Sequence, residues 1–328
     1  MSVTTEYDSL LLDLDGTVYE GGRALDHAVS SINEAGLPAM YVTNNASRAP
    51  EVVVEQLRAI GLNDVETKDV LTSAQAACEM AQNHIPQGSK VYVLGSDSFR
   101  ELATAAGFNV VYSADDRPAA VFHGHNPETG WAQLSEAALA IQAGARYFAS
   151  NLDSTLPMER GRHVGNGSMV AAVVHATGVQ PLSAGKPGPA MFKSAAATLN
   201  STRPLAVGDR LDTDIAGGNT AGFDTFQVLT GVSGFYDLIH AIPAERPTFI
   251  ATSLKDLFLP SEELRPGVQG GFTALIDGAS LVISGGDATA TPVQALRTAL
   301  AVAWNNDSEI VDVRADSPAA RTALENWW

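Results

Sequence analysis

The stretch LLLDLDGTVY, Leu10 to Tyr19, constrains this chain more than any other: an apolar run with the character of a buried strand that stops in two acids and a glycine. Side chains alternate faces along a strand, so Asp13 and Asp15 project to one side while Leu14 points away. Gly16 can adopt backbone conformations closed to other residues, which lets the chain turn sharply and leaves the carboxylates uncovered. Two acids converging at a strand end suit a cation, a phosphate, or both. An apolar strand ending in an acid is also ordinary in parallel α/β sheets, where Asp caps a turn or a helix. The pattern therefore needs company before it means chemistry.

The chain around it alternates. Leu25 to Ala35 has helical spacing, Leu37 to Val42 is strand-like, and Pro50 opens a helix to Ile60. This β-α-β-α rhythm implies a doubly wound parallel sheet whose ligands sit at the C-terminal ends of its strands. From Ser73 the chain leaves that sheet. A helix to Asn83, strands at Val91–Leu94, Ala120–His123 and Arg146–Ser150, and helices near Ser98–Ala106, Trp131–Gln142 and Gly167–Thr177 form an inserted α+β block. The first pattern resumes at Lys186, with a helix from Pro189, a strand Pro204–Val207, a helix from Thr213, and strands Phe223–Leu229 and Thr248–Ile250 before a helix Ser253–Phe258. After Pro260 the composition shifts: a hairpin around Asp277-Gly278, a helix Pro292 to Trp304 and a strand Glu309–Val313 precede Trp327 and Trp328. This tail is short for an independent domain, so it packs on the main body or on another subunit.

Length and charge narrow the class. The 328 residues exceed one ordinary core, and 37 acids against 20 bases give a formal charge of −17, which opposes nucleic acid and anionic membrane. No basic segment precedes an apolar one at the start, and no apolar run approaches a membrane span. A cytoplasmic enzyme is the simplest reading. Cys78 is the only cysteine, which leaves no disulfide framework and no thiol metal site.

Three further stretches give the first one meaning: TNNAS at 43–47, GKPGP at 185–189 and GDRLDTD at 208–214. Thr43 has a hydroxyl where a strand meets a turn, and with the backbone N–H groups of Asn44 and Asn45 it can bind phosphate oxygens; Asn-rich turns are also common as plain structure. Lys186, held between Gly185 and Pro187, offers a point charge for a phosphoryl group. Asp209 follows the apolar run Leu205–Val207 and so stands at another strand end, placed for a hard oxygen-ligand site. Asp214 either holds water near that site, orients Lys186, or simply favours a helix start. His123, His125 and His163 lack acids spaced for zinc and read as structural or solvated.

The order DxDGT, TNN, GKP, GDxxxTD, from Asp13 to Asp214, resembles the haloacid dehalogenase superfamily of aspartate-nucleophile phosphatases. Within it, the TNNAS turn, GDRLDTD and the segment NLDSTLPMERGRHVGNGSMVAAV look like the branch with a large α+β cap, which includes p-nitrophenyl-phosphate, phosphoglycolate, pyridoxal-phosphate and glycerol-phosphate phosphatases. The resemblance implies a Rossmann-like catalytic core at 1–72 and 184–260, an inserted cap at 73–183 that sets specificity, and a C-terminal extension at 261–328 that the simplest members lack. It implies Asp13 as nucleophile and Asp15 as acid/base. Thr43, Asn44, Asn45 and Lys186 would bind phosphate; Mg²⁺ would be held by Asp13, Asp209 and the Asp15 carbonyl.

The implied function is hydrolysis of a small phosphomonoester, glycerol phosphate first and phosphoglycolate or another sugar or polyol phosphate second. The resemblance also implies that a cap loop, Asn151–Pro157, faces the active site, with Leu156 narrowing the pocket and Thr155 or Asp153 as polar contacts to substrate. Thr155 and Leu156 stand where pyridoxal-phosphate-specific relatives carry an aromatic residue and a histidine, which argues against that substrate. A non-catalytic sensor of phosphorylated metabolites is the reading of a different class, and a phosphotransferase is a third. No nucleic-acid or membrane partner is expected; self-association through the cap or the extension is.

Overall fold

The computed structural model describes residues 1–158, 160–306, 309–325 and 327, with Pro157 and Met158 as backbone. Glu159, within the segment that carries the cap resemblance, and Trp328 lie outside the described residues. The chain divides into two compact units, Met1–Ala39 with Leu199–Trp328, and Met40–Thr198. The second unit thus takes in more than the segment expected as an insertion, and the tail belongs to the first.

In the first unit four parallel strands lie in the order Phe249–Ala251, Asp224–Val228, Pro204–Gly208, Ser9–Leu12. Leu10, Leu11, Leu12, Leu205, Val207, Phe226 and Phe249 are all buried, as expected for strands covered on both faces. Pairing of Leu12 with Val207 brings the ends of two strands level, and Asp13 and Asp209 follow those ends directly.

The tail completes this unit. Strands Phe272–Asp277 and Ser280–Gly285 form a hairpin in which Asp277 pairs with Ser280, so the two turn residues are Gly278 and Ala279, one place later than the Asp-Gly pair suggests. Gly278 has φ +62°, the positive value that a two-residue hairpin turn requires at its first central position. The third strand is Asp312–Ala315, parallel to the second, overlapping the expected Glu309–Val313 but beginning and ending later. A helix Pro318–Leu324 follows, opened by Ser317, whose Oγ accepts the Ala320 N–H at 3.0 Å. Leu281, Ile283, Leu296, Leu300 and Leu324 share one core with Leu211, Ile215, Leu238 and Ile250. The tail therefore packs on the main body, the first of its two expected destinations.

The second unit holds a parallel pair, in which Tyr41, Val42 and Thr43 of the strand Ala39–Thr43 face Val70, Leu71 and Thr72. It also holds a five-stranded parallel sheet in the order Leu182–Ser183, Arg146–Ala149, Ala120–His123, Lys90–Leu94, Asn109–Val111. Phe122 anchors its core, with Phe99, Phe108 and Phe148 at ring-centroid separations of 6.0, 5.4 and 5.7 Å. Thr155–Met158 and Gly161–Val164 pair as an antiparallel hairpin.

Candidate active site

The first unit gathers three acids. Beyond Leu12 the Asp13 N–H donates to the Val207 carbonyl at 2.9 Å, extending the parallel ladder by one residue. The carbonyl of buried Leu14 then accepts from Val18 at 2.9 Å and Tyr19 at 3.1 Å, closing a turn that leaves Asp15 exposed. Gly16 is required there twice over: its φ is +88°, and a Cβ would lie 2.6 Å from Asp209 Oδ2. Asp209 is fully buried. Its Oδ2 accepts the Val232 N–H at 2.6 Å, and its carbonyl accepts the Gln227 carboxamide at 2.7 Å. Asp214 lies on a wide helical turn, Leu211–Ile215, in which the Asp214 and Ile215 N–H groups share the Arg210 carbonyl at 3.0 and 3.1 Å. Wide turns of this kind recur at functional sites. This one directs the Asp214 carboxylate back to the Arg210 N–H at 3.1 Å.

Asp13, Asp209 and Asp214 each offer a carboxylate oxygen, all within 4.8 Å of one another. Oxygen-only donors at this density fit a hard divalent cation such as Mg²⁺. Asp214, whose role the spacing left open, thus stands with the two expected acids. The Asp15 side chain does not belong to this trio; its backbone bridges to Tyr19.

The second unit gathers the expected phosphate-binding groups. Lys186 is 2% exposed, and its ammonium donates to the Val42 carbonyl at 3.0 Å. Thr43 is buried at the end of its strand, and its hydroxyl accepts the Asn45 N–H at 3.1 Å. One of the two amides expected to hold phosphate is thus turned onto Thr43 itself. The Asn45 carboxamide oxygen accepts the Ser47 N–H at 2.9 Å and its hydroxyl at 2.6 Å, the local turn that an Asn favours. Asn44 Oδ1 accepts the Lys186 N–H at 2.9 Å. The motif spacing gave no hint of Gln227 or Ser73; Asn151, which opens the loop 151–157 that the resemblance singles out, stands two residues past the strand Arg146–Ala149, where parallel sheets place ligand groups.

The histidines are structural where they are buried. His123 Nδ1 lies 2.8 Å from the Tyr147 hydroxyl, and burial lowers its pKa to about 3, so it stays neutral. Among the described residues no histidine joins a group able to hold a metal.

A model of haloacid dehalogenase-like hydrolases matches residues 10–109, and a second, HAD-hydrolase-like, matches 183–257. The D-glycerol 3-phosphate phosphatase of Mycobacterium tuberculosis is 39% identical over 99% of this chain and 95% of its own length. The chain belongs to the haloacid dehalogenase-like hydrolases. Crystal structures of the mycobacterial glycerol phosphate phosphatase, with calcium and with magnesium, superpose on this hydrolase with a TM-score of 0.94 and cover all of it. An acid sugar phosphatase of Staphylococcus aureus is 36% identical over 77% of the chain and 96% of itself. The p-nitrophenyl phosphatase of Archaeoglobus fulgidus also covers 77%, with a TM-score of 0.71 and 28% identity. The architecture is accordingly a Rossmann-like core with an inserted cap domain, and the relatives sharing it are phosphatases.

Proposed function

We propose that this hydrolase is an Mg²⁺-dependent phosphatase of glycerol phosphate that works through an aspartyl-phosphate. One observation carries the substrate. The likeness to the glycerol phosphate phosphatase runs through the whole chain, tail included, whereas the acid sugar phosphatase matches a share close to that preceding Ser261.

In this reading an Asp13 oxygen attacks phosphorus, the bond from phosphorus to the glycerol oxygen breaks, and Asp15 gives that oxygen its proton. Asp15, now ionised, takes a proton from water; the resulting hydroxide attacks phosphorus and returns Asp13 as carboxylate with release of phosphate. Exposure of Asp15 suits a group that must meet both the leaving alcohol and water. Thr43, the Asn44 N–H and Lys186 take the phosphoryl oxygens, the roles that the motif order implies, while the Asn45 N–H is held by the Thr43 hydroxyl. Asp13, Asp209 and Asp214, with the Asp15 carbonyl, would hold Mg²⁺, which when bound offsets charge on the phosphoryl group. Residues 73–183 act as the cap that selects the rest of the substrate. No helix among the described residues is long and apolar enough to cross a membrane.

A phosphate-release screen with Mg²⁺ over glycerol 3-phosphate, phosphoglycolate, sugar phosphates and p-nitrophenyl phosphate tests the proposal. Highest kcat/KM on glycerol 3-phosphate is expected. A stronger preference for a sugar phosphate would move the assignment toward the acid sugar phosphatases, and no release from any ester would leave the sensor reading.

A further inference from the structure

Asn44 holds Lys186 by both of its backbone groups. Its Oδ1 accepts the Lys186 N–H at 2.9 Å, and its Nδ2 donates to the Lys186 carbonyl at 3.1 Å. A single hydrogen bond leaves the bonded residue free to swing, whereas a carboxamide that engages both the donor and the acceptor of one residue fixes its orientation as well. The approach is possible because residue 185 is glycine: a Cβ there would lie 2.8 Å from Asn44 Oδ1 and 2.5 Å from the Ser150 carbonyl.

The same Nδ2 reaches both carboxylate oxygens of Asp153, at 3.1 and 3.2 Å. Asn44 is itself anchored, its carbonyl accepting Ser73 Oγ at 2.6 Å and Asn151 Nδ2 at 2.7 Å. The Asn151 carboxamide oxygen in turn accepts the Asp153 N–H at 3.2 Å. Three loops thus meet on one carboxamide: the one after the strand Ala39–Thr43, the one at 151–153 and the one at 185–186. One nitrogen thus serves both the Asp153 carboxylate and the Lys186 carbonyl, and displacement of one loop alters the hold on the other.

We infer that Asn44 is a positioning residue that sets Lys186 for the phosphoryl group and couples it to the cap loop at 151–153 through Asp153. This rests on the reading of Lys186 as the phosphate-neutralising cation. It also gives Asp153 a role apart from substrate contact.

The test is a mutant cycle read as kcat for phosphate release from glycerol 3-phosphate at saturating Mg²⁺. Asn44→Ala in the wild-type background is expected to lower kcat about a hundredfold, the order of loss that follows a misplaced catalytic group. In the Lys186→Ala background the same change should cost less than about threefold, because its target is gone. Equal losses in both backgrounds would mean that Asn44 acts independently of Lys186 and would overturn the inference. A Lys186→Ala variant with undiminished kcat would remove the reading of Lys186 as the phosphate-neutralising cation, and the inference with it, a result that the first comparison cannot mimic.

Should Asn44→Ala fail to fold, Asn44→Asp keeps the acceptor for the Lys186 N–H, loses the donor and faces Asp153 with like charge. Adding Asp153→Asn restores a donor and acceptor pair in the reverse sense. Recovery of kcat by about tenfold is expected from the coupling of a contacting pair; no recovery overturns the link to the cap loop.

Discussion

Three glycines separate backbone strain from crowding of the metal-site acid Asp209. Gly231 has no positive φ, but a Cβ there would stand 2.0 Å from Asp209 Oδ2, whereas ordinary contact begins at 3.4 Å. Gly231→Ala therefore asks the carboxylate to retreat by about 1.4 Å, and Gly16→Ala, at 2.6 Å, by about 0.8 Å. Displacement of this order at a reacting centre costs about a hundredfold in rate. Gly16 also sits at φ +88°, which adds roughly 1–2 kcal/mol of strain for any L side chain. Gly21 supplies the control, with φ +55° and nothing within 4 Å; its alanine variant should lose only that strain energy. The assay pairs thermal unfolding with phosphate release and Mg²⁺ half-saturation on each variant. Gly21→Ala should be less stable with unchanged turnover, Gly231→Ala should lose turnover and Mg²⁺ affinity, and Gly16→Ala should lose all three. If Gly231→Ala turns over normally with normal Mg²⁺ affinity, Asp209 is not a group on which the reaction depends.

Asp13→Asn keeps shape but loses the attacking charge, so turnover should fall by several orders of magnitude with the fold retained; release above about a hundredth of the wild-type rate would rule out the aspartyl-phosphate. Chelation should abolish activity while leaving the far-ultraviolet dichroism intact, and Ca²⁺ should fail to restore it, since the larger ion takes more ligands and can occupy both Asp13 oxygens. Leu156 is half-buried on the strand Thr155–Met158, opposite His163; Leu156→Ala should raise kcat/KM for an aromatic phosphate relative to glycerol phosphate by about tenfold, and an unchanged ratio would take this loop out of substrate selection. His123 has a pKa lowered from 6.5 to about 3 in the folded protein, so the unfolded chain binds the extra proton between those values. The stability it confers is complete above pH 6.5 and declines as pH falls toward 3; His123→Asn should flatten the unfolding free energy across that window, as read by urea titration at several pH values.

Much of the fold was legible because its elements are long and strongly patterned. Ala120–His123 and Trp131–Gln142 lie where the apolar runs and helical spacing place them. Of the strands that escaped, Val70–Thr72, Asn109–Val111 and Leu182–Ser183 are two or three residues each, too brief for alternation to show, and tertiary pairing alone defines them; the hairpin strands Thr155–Met158 and Gly161–Val164, four residues each, escaped as well. The helix Pro318–Leu324 had a readable start in Ser317-Pro318. At the site, Asp13 and Asp209 were legible because apolar runs end in them. Asp214 was read only as far as a place near that site, because its direction depends on the wide turn at Leu211–Ile215, which no spacing rule encodes. Asn44 was expected to act through its backbone; the side-chain clamp on Lys186 joins residues 142 positions apart, and local sequence carries no trace of it.

The tail has a physical reason to stay with the core. Phe249–Ala251 ends the order of strands in the first unit, and the Ala251 carbonyl faces inward to accept the Leu229 N–H at 3.0 Å. Neighbouring residues of a parallel strand point opposite ways, so the Ile250 carbonyl faces out from an open edge, the kind that recruits other strands. Arg297, from the helix Pro292–Ala303, covers it: its Nε donates to Ile250 O at 2.9 Å, and Nη2 donates to the same oxygen. Burial lowers the guanidinium only to about 10, so it remains a cation at neutral pH, and a cation makes a stronger donor than a neutral group. Trp304 adds a second tie, its indole N–H donating to the Leu238 carbonyl at 2.8 Å. Removal of 261–328 would therefore expose Leu238, Ile239 and Ile250 and uncover a strand edge at once. At roughly 1.5–3 kcal/mol per exposed large apolar side chain, the loss rivals the whole stability of an ordinary domain. The truncated chain should aggregate on expression rather than persist as a soluble core; a soluble, active truncation would show that the edge is guarded by something other than Arg297.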